Sequence, residues 1–266
     1  MGIHEKFKEV KKEGRIALIV YITFGYPSVG ESLDILKLLE DLGVDMIEVG
    51  IPFSDPVADG KTIQYASEVA LRNEATLRKA IKEIDKLRVN TPIIMMTYYN
   101  PVLAYGVDRI FADMKEAGFY GMIVPDLPVE EVAKLKARTT TDGIDFINLV
   151  TPVTPDSRVR LIDDVTDGFI YCVSLTGTTG ARDRLNPELI PFLKKIQKIV
   201  KNPVAVGFGI SKPEHIEHIK KYADGVIIGS RIIEAIRSRE NLRELIKSYQ
   251  KALRVENESD SRSSRK

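Results

Sequence analysis

Eight short apolar segments, each followed by a segment of helical periodicity, limit the folds open to this chain more than any other feature. The segments are apolar throughout, without the alternation of a half-exposed strand, which is typical of a parallel sheet covered on both faces. The predicted strands are 17–24, 45–50, 93–97, 120–124, 144–149, 168–173, 203–207 and 224–228. Eight strand–helix units predict an α/β protein of the (β/α)8 TIM-barrel type. A doubly wound open sheet is the alternative, but the turn after the first strand, TFGYPS, lacks the glycine-rich pattern of a dinucleotide-binding turn.

The barrel is predicted to form a single domain over residues 1–254, with an extra amphipathic helix over 3–13. The segment 255–266 has almost no apolar side chains, and we expect it to be a disordered tail. Lysine and arginine number 39 against 38 acidic residues, which gives no support to nucleic-acid binding. No apolar run reaches the roughly 18–20 residues of a membrane span, and the N-terminus lacks the apolar centre of a signal peptide. We therefore expect a cytoplasmic protein without membrane contact.

Glu48 is the most unusual acidic residue, because it stands inside the apolar segment of the second predicted strand. Burying an ionised carboxylate there without a partner would cost several kcal/mol or more. Barrel enzymes carry their active sites at the carboxyl ends of the strands, and the long loop 51–61 that follows carries Asp55 and Asp59. This pattern favours a general acid/base role for Glu48 with Asp59 as a second acidic group. The alternative is a structural carboxylate hydrogen-bonded within the core; Asp55, in Ser-Asp-Pro, is interpreted as a turn residue.

Glycines follow the seventh and eighth predicted strands, where barrels often bind phosphate. Gly209 closes the Gly-Phe-Gly of the first of these loops, while Gly229 and Ser230 open the helix after the last strand. Free backbone N–H groups and a helix N-terminus attract anions, so the pair of loops predicts a phosphate site. The alternative is that these glycines only form tight turns.

The long loop 174–186, SLTGTTGARDRLN, is predicted to be either a lid over the site or a solvent-exposed surface loop. In a lid, Gly180 would add a phosphate donor. Asp126, after the fourth strand, is equally consistent with a third acidic group and with a turn or helix cap. Three tyrosines at strand ends, which could line the barrel mouth or belong to its core, are Tyr21, Tyr98 and Tyr171.

The sequence lacks the residues that metal-dependent, Schiff-base or thiol catalysis would need at the strand ends. The three histidines stand away from the strand ends, and His215 and His218 are interpreted as exposed residues of one helix, so no metal centre is predicted. No lysine lies in the C-terminal half of a predicted strand, which excludes a Schiff-base aldolase. The single cysteine, Cys172, lies in an apolar strand and is predicted to be a packed thiol.

Taken together, these motifs resemble the tryptophan synthase alpha subunit family. The segments IEVGIPFSDPVADG, VPDLPVEE, TGTTG, VGFGIS and GVIIGS occur in that family's order, and the resemblance covers residues 1 to about 252. It implies a barrel lyase that cleaves indole-3-glycerol phosphate to indole and glyceraldehyde 3-phosphate in tryptophan biosynthesis, with no cofactor of its own. It also implies a partner, the beta subunit, which carries pyridoxal phosphate and assembles as an αββα complex. The loop 51–61 and the helix region after the third strand would face that partner.

The resemblance also assigns roles to single residues. Glu48 would be the general acid/base, and Asp59 would stabilise charge at the indole nitrogen. Tyr171 would lie near Glu48, and Thr179 would be a lid residue that meets Asp59. The resemblance places Tyr21, Tyr98 and Phe208 in the indole pocket and Gly180, Gly209, Gly229 and Ser230 in the phosphate site.

The chain departs from the family pattern at Lys61, Leu175, Thr176 and Thr178, which affects expectations about the lid and signalling between subunits. Two rival functions stand beside the lyase. A phosphosugar isomerase on the same fold would need acids at the ends of strands one and five, where YITFGYP and NLVTP have none. A non-catalytic barrel that only activates a partner would be favoured by loss of Glu48 or Asp59, and both are present.

Overall fold

The computed structural model describes residues 2–138, 141, 143–173, 185–207 and 209–255. The strands among them are β1 (Ala17–Thr23), β2 (Met46–Gly50), β3 (Ile93–Met96), β4 (Phe119–Ile123), β5 (Asp145–Phe146), β6 (Asn148–Val150), β7 (Ile170–Val173), β8 (Val204–Gly207) and β9 (Gly225–Ile228). The helices are α1 (Ile3–Lys12), α2 (Val29–Asp41), α3 (Lys61–Arg72), α4 (Leu77–Leu87), α5 (Tyr99–Tyr105), α6 (Val107–Glu116), α7 (Val129–Arg138), α8 (Asp156–Val165), α9 (Leu189–Gln197), α10 (Pro213–Ile219), α11 (Ser230–Arg237) and α12 (Leu242–Ala252).

All the strands belong to one parallel sheet in the order β5-β4-β3-β2-β1-β9-β8-β7-β6. Its two terminal strands, β5 and β6, are consecutive in the chain and are separated only by Ile147, whose N–H donates to Met122 O at 3.0 Å. They are the two halves of one interrupted strand, the fifth of eight, and the sheet therefore closes on itself. The predicted (β/α)8 barrel is confirmed.

The strands are buried because each has the barrel interior on one face and a helix layer on the other. Every residue of β1, β2, β3, β7, β8 and β9 is buried, which explains the continuous apolar runs. Helix α1 buries Ile3, Phe7 and Val10, and the ring of Phe7 lies 5.6 Å from that of Phe169 at the amino end of β7. Thus α1 packs at the end of the barrel opposite the strand carboxyl ends.

Two features of the carboxyl-end loops differ from or refine the sequence interpretation. Helix α5 lies between β3 and α6, where the sequence predicted only one helical segment after the third strand. Asp126 accepts a hydrogen bond from the backbone N–H of Tyr99, the first residue of α5, at 2.9 Å. Asp126 therefore caps this helix, which is one of the two roles predicted for it.

At the C-terminus, the N–H of Val255 donates to Gly14 O at 2.8 Å, and residues 256–266 lie outside the described residues. Within the part of the chain that the structure describes, no helix is long and apolar enough to cross a membrane.

Candidate active site

Glu48 lies in the barrel interior, next to the carboxyl end of β2. It pairs in register with Tyr21 of β1, and its residue surface is only 1% exposed. Met46 precedes it by two positions and is also fully buried, as expected for residues that share one face of a strand. The strand therefore carries a carboxyl group into the core and ends two residues later.

A cavity of about 570 Å³, including the space open to solvent at its mouth, occupies this end of the barrel. It is lined by Tyr21, Glu48, Asp59, Ile63, Met96, Tyr171, Gly209, Ile210, Ser211, Ile227, Gly229, Ser230 and Arg231. The carboxylates thus lie in the same cavity as the glycine loops that follow β8 and β9. One ligand of modest size could touch both groups at once.

Glu48 is poised for proton transfer near neutral pH. Its Oε2 is buried and has no hydrogen-bond partner among the described residues. Burial, and secondarily the nearby charge of Asp59, raise the pKa of Glu48 to about 8. A carboxyl group with such a pKa can both give and accept a proton at physiological pH.

Asp59, in the loop between β2 and α3, is half-buried and tied to Tyr98. The Tyr98 hydroxyl accepts a hydrogen bond from the N–H of Ala58 at 3.0 Å and donates one to the Asp59 carboxylate. Burial raises the pKa of Asp59, and the hydrogen bond from Tyr98 opposes that increase. Tyr98 in turn stacks on Phe53, with ring centroids 5.2 Å apart. The Tyr98 hydroxyl therefore links the backbone of this loop to the Asp59 carboxylate.

Two tyrosine rings lie against the ends of the neighbouring strands, and both of those strands end in glycine. A Cβ on Gly50 would lie 2.5 Å from Tyr21 Cζ, and one on Gly207 would lie 2.5 Å from Tyr171 Cε1. Real Cβ atoms do not approach other atoms so closely, so only glycine leaves room for these rings. Burial, the largest cause, raises the pKa of both hydroxyls well above the ordinary value, so both remain protonated.

The glycine loops form the other side of the cavity. Gly209 has φ +81°, a left-handed conformation that favours glycine. Gly229 caps α11, whose first residue is Ser230, and its carbonyl accepts from Ile232 N at 2.8 Å and Ile233 N at 3.1 Å. The first N–H groups of a helix have no partner within the helix, so those of Ser230 and Arg231 remain available for an anion.

The structure brings seven of the predicted site residues to one cavity and places an eighth, Tyr98, against Asp59. Predicted residues Thr179, Gly180 and Phe208 lie outside the described residues. Sequence reasoning missed several lining residues. Arg231 follows the Gly-Ser motif directly and its guanidinium pairs with Glu240 at 2.7 Å. The others are Ile63, Met96, Ile210, Ser211 and Ile227. Apolar lining residues carry no signal that separates them from ordinary core residues.

Cys172 is buried, and burial raises the pKa of its thiol, as the prediction of a packed cysteine requires. The interpretation of His215 as exposed was wrong, because its ring packs beneath the loop after β8 with 4% exposure. His218 is exposed, as expected. Among the described residues, no three histidine, cysteine or acidic side chains are grouped as metal ligands.

The fold and the cavity define a (β/α)8 barrel whose cavity has a buried carboxyl group at one side and glycine loops with a helix N-terminus at the other. A family model described as tryptophan synthase alpha chain matches residues 7–261. The chain belongs to the tryptophan synthase alpha chain family.

Individual relatives agree with this assignment. The tryptophan synthase alpha chain of Roseiflexus castenholzii is 46% identical over 237 residues, which cover 88% of this chain and 91% of that one. Tryptophan synthase of Saccharomyces cerevisiae is 43% identical over 87% of this chain, which spans 33% of that longer protein. Among solved structures, the tryptophan synthase a2b2 complex of Pyrococcus furiosus has a chain with TM-score 0.82 and 40% identity, covering 89% of this chain and 99% of that chain. A chain of Mycobacterium tuberculosis tryptophan synthase has TM-score 0.88 and 35% identity, covering 96% and 98%.

Proposed function

We propose that this chain is the lyase that cleaves indole-3-glycerol phosphate to indole and glyceraldehyde 3-phosphate. The observation that carries the proposal is the buried Glu48 carboxyl group, with its pKa near 8, in a cavity shared with Asp59 and the glycine loops. The reaction needs a mobile proton carrier beside the bond that breaks, a fixed anion at the indole nitrogen and an anchor for phosphate. The cavity contains a candidate for each part.

Glu48 acts as both acid and base in this proposal. Its protonated form gives a proton to indole C3, which becomes tetrahedral and leaves positive charge at the ring nitrogen. The resulting carboxylate takes the proton from the C3′ hydroxyl of the glycerol chain. The carbon–carbon bond then breaks, its electrons return to the ring, and the C3′ carbon becomes the aldehyde. Glu48 gives one proton to indole C3 and regains one from the C3′ hydroxyl, so no other reactant is required.

Asp59 stabilises the charge that develops at the indole nitrogen. Electrostatic stabilisation is most effective when the charged group is already held in place, and the Tyr98 hydroxyl provides that restraint. Tyr21 and Tyr98 form walls of the indole pocket, and Tyr171 lies beside Glu48.

The phosphate group binds at the opposite side of the cavity. Gly209 and the α11 N-terminus, with Gly229 and Ser230, supply backbone N–H groups and the Ser230 hydroxyl. This anchor requires no cation of its own, because a helix N-terminus already favours negative charge.

We further propose that the chain needs no cofactor and works in the cytoplasm with a tryptophan synthase beta chain, in which pyridoxal phosphate resides. The a2b2 composition of the Pyrococcus furiosus complex supports an αββα assembly. Val57, which is 81% exposed in the loop that carries Asp59, supports a partner surface beside the site. The barrel domain is proposed to end near residue 254, with the tail beyond it.

The test is Glu48→Gln, which preserves shape and removes the proton carrier. We expect the variant to fold like the wild type and to release indole at least about a hundredfold more slowly. The matched control is Asp55→Asn, an acid-to-amide change at an exposed residue of the neighbouring loop, which should keep activity within twofold. Indole release would be followed with the isolated chain and with a beta chain present. A Glu48→Gln variant with near wild-type turnover would overturn the role of Glu48.

A further inference from the structure

The backbone of Ser211, in the wall of the phosphate side of the cavity, is held from two directions by side chains that do not line the cavity. The N–H of Ser211 donates to Nδ1 of His215 at 3.2 Å. The hydroxyl of Tyr249, on α12, donates to the carbonyl of Ser211 at 2.8 Å. Both polar groups of this one residue's backbone are therefore bound by side chains of other elements.

These hydrogen bonds are shielded from solvent. Tyr249 is 0% exposed, His215 4% and Ser211 7%. A buried polar group that loses its partner costs more than an exposed one, because water cannot replace the bond. Substituting an apolar residue at either position would therefore remove a buried hydrogen bond of the Ser211 backbone and favour a shift of the loop.

Ser211 lies only two residues after Gly209, whose φ is +81°. Gly209, Ile210 and Ser211 all line the cavity, as do Gly229 and Ser230. The two hydrogen bonds fix the peptide groups on both sides of Ser211 and leave little rotational freedom to the segment 209–211. The direction of the N–H groups of Gly209 and Ile210 is therefore fixed as well. Binding to donors that are already oriented avoids the entropy cost of ordering them.

We propose that His215 and Tyr249 are positioning residues for phosphate binding, acting through the Ser211 backbone without touching the substrate. The inference rests on the proposed function in so far as the phosphate is that of the substrate. It gives a role to His215, the third residue of α10, a helix that contributes no side chain to the lining of the cavity.

The experiment compares a phosphate-bearing probe with a phosphate-free one. Tyr249→Phe removes only the hydroxyl. Calorimetric titration should show glycerol 3-phosphate bound about threefold to tenfold more weakly, the range expected for loss of one hydrogen bond. Binding of indole should stay within twofold of wild type, and KM for indole-3-glycerol phosphate should rise while kcat stays within twofold. The control is Tyr222→Phe, a tyrosine whose ring packs under Lys194 and does not line the cavity, and it should change the affinity for neither probe.

A pair of variants at His215 provides an independent arm should Tyr249→Phe fail to fold. His215→Leu removes the acceptor and should reproduce the selective loss of glycerol 3-phosphate binding. His215→Gln retains an acceptor oxygen and should bind glycerol 3-phosphate with an affinity between those of His215→Leu and the wild type. Unchanged glycerol 3-phosphate affinity, or equal loss of both probes, would overturn the positioning role. Absence of turnover in the wild-type protein would count against the lyase function alone, because the binding titrations need no turnover.

Discussion

At the scale of single residues, the chain accepts a thermodynamic cost at Glu48 that a neutral side chain would avoid. The carboxyl group is buried, one of its oxygens has no partner in the described chain, and its pKa of about 8 lies well above the ordinary value of 4.5. Between these two values the unfolded chain loses its proton while the folded protein keeps it. The contribution of Glu48 to stability is therefore complete below pH 4.5 and is lost progressively as the pH rises to about 8.

Glu48→Gln removes this titration, because glutamine stays neutral in both states. We expect the free energy of unfolding of the wild type to fall relative to the variant as the pH rises from about 5 to 8, by up to about 1.4 kcal/mol per pH unit. Urea unfolding of both proteins at several pH values in this range would measure the difference. Parallel stability curves would show that Glu48 ionises normally in the folded protein.

Tyr98→Phe tests how Asp59 is held. The change removes the hydroxyl that donates to Asp59 and accepts from Ala58 N–H, while the ring can still stack on Phe53. A hydrogen bond to a charged group contributes about 1.5 kcal/mol or more, so kcat/KM for indole-3-glycerol phosphate should fall about tenfold. Steady-state kinetics with Tyr99→Phe as the control would check this. Activity equal to that of the control would mean that Asp59 needs no anchor.

At the scale of elements, the barrel could be predicted because its strands are buried on both faces and leave an unmistakable apolar pattern. There are two exceptions, and both depend on contacts between segments that are distant in the sequence. The fifth strand is interrupted at Ile147, which pairs across to β4 instead of continuing the ladder to β7. Helix α5 is stabilised at its start by Asp126, 27 residues away, and such a long-range cap has no signal in a local window.

The candidate site was predictable to a similar extent and for a similar reason. Carboxylates and glycines at strand ends are unusual enough to be identified in the sequence, and in the structure they line one cavity. The pairing of Tyr98 with Asp59 and the burial of His215 depend on contacts between distant segments, which sequence periodicity does not contain. Ser211 gave no signal, because it takes part through its backbone.

Gly207→Ala tests the rule that the strand beside a cavity tyrosine must end in glycine. The added methyl would overlap the Tyr171 ring, so the ring must move or the strands must separate. Overpacking of this kind typically costs 1–3 kcal/mol, and we expect kcat/KM to fall at least about tenfold. Gly30→Ala, in α2 with no atom within 4 Å of the new methyl, is the control and should be neutral or slightly stabilising. Kinetics and urea unfolding of both variants would decide, and equal behaviour of the two would contradict the steric rule.

At the scale of the whole molecule, the two ends of the barrel have different tasks. At the amino end, α1 buries apolar side chains against the strands and has no contact with the cavity. At the carboxyl end, the loop after β2 carries Asp59 toward the cavity and Val57 toward solvent, only two residues apart. A partner that buries Val57 would therefore press on the segment that holds Asp59, and docking and catalysis would be coupled through that short segment.

Val57→Ser tests this coupling. Burying a valine side chain contributes about 1.5 kcal/mol, so the affinity for a tryptophan synthase beta chain should weaken about tenfold. Indole release by the isolated chain should stay within twofold of wild type, because Val57 does not line the cavity. Leu161→Ser, at a 42% exposed residue of α8 on the outer helix layer, is the control and should leave affinity unchanged. Titration of the beta chain, by calorimetry and by its effect on indole release, would separate the outcomes. Equal affinities for the two variants would move the partner surface away from this loop, and a loss of basal activity in Val57→Ser would mean that the loop shapes the site even without a partner.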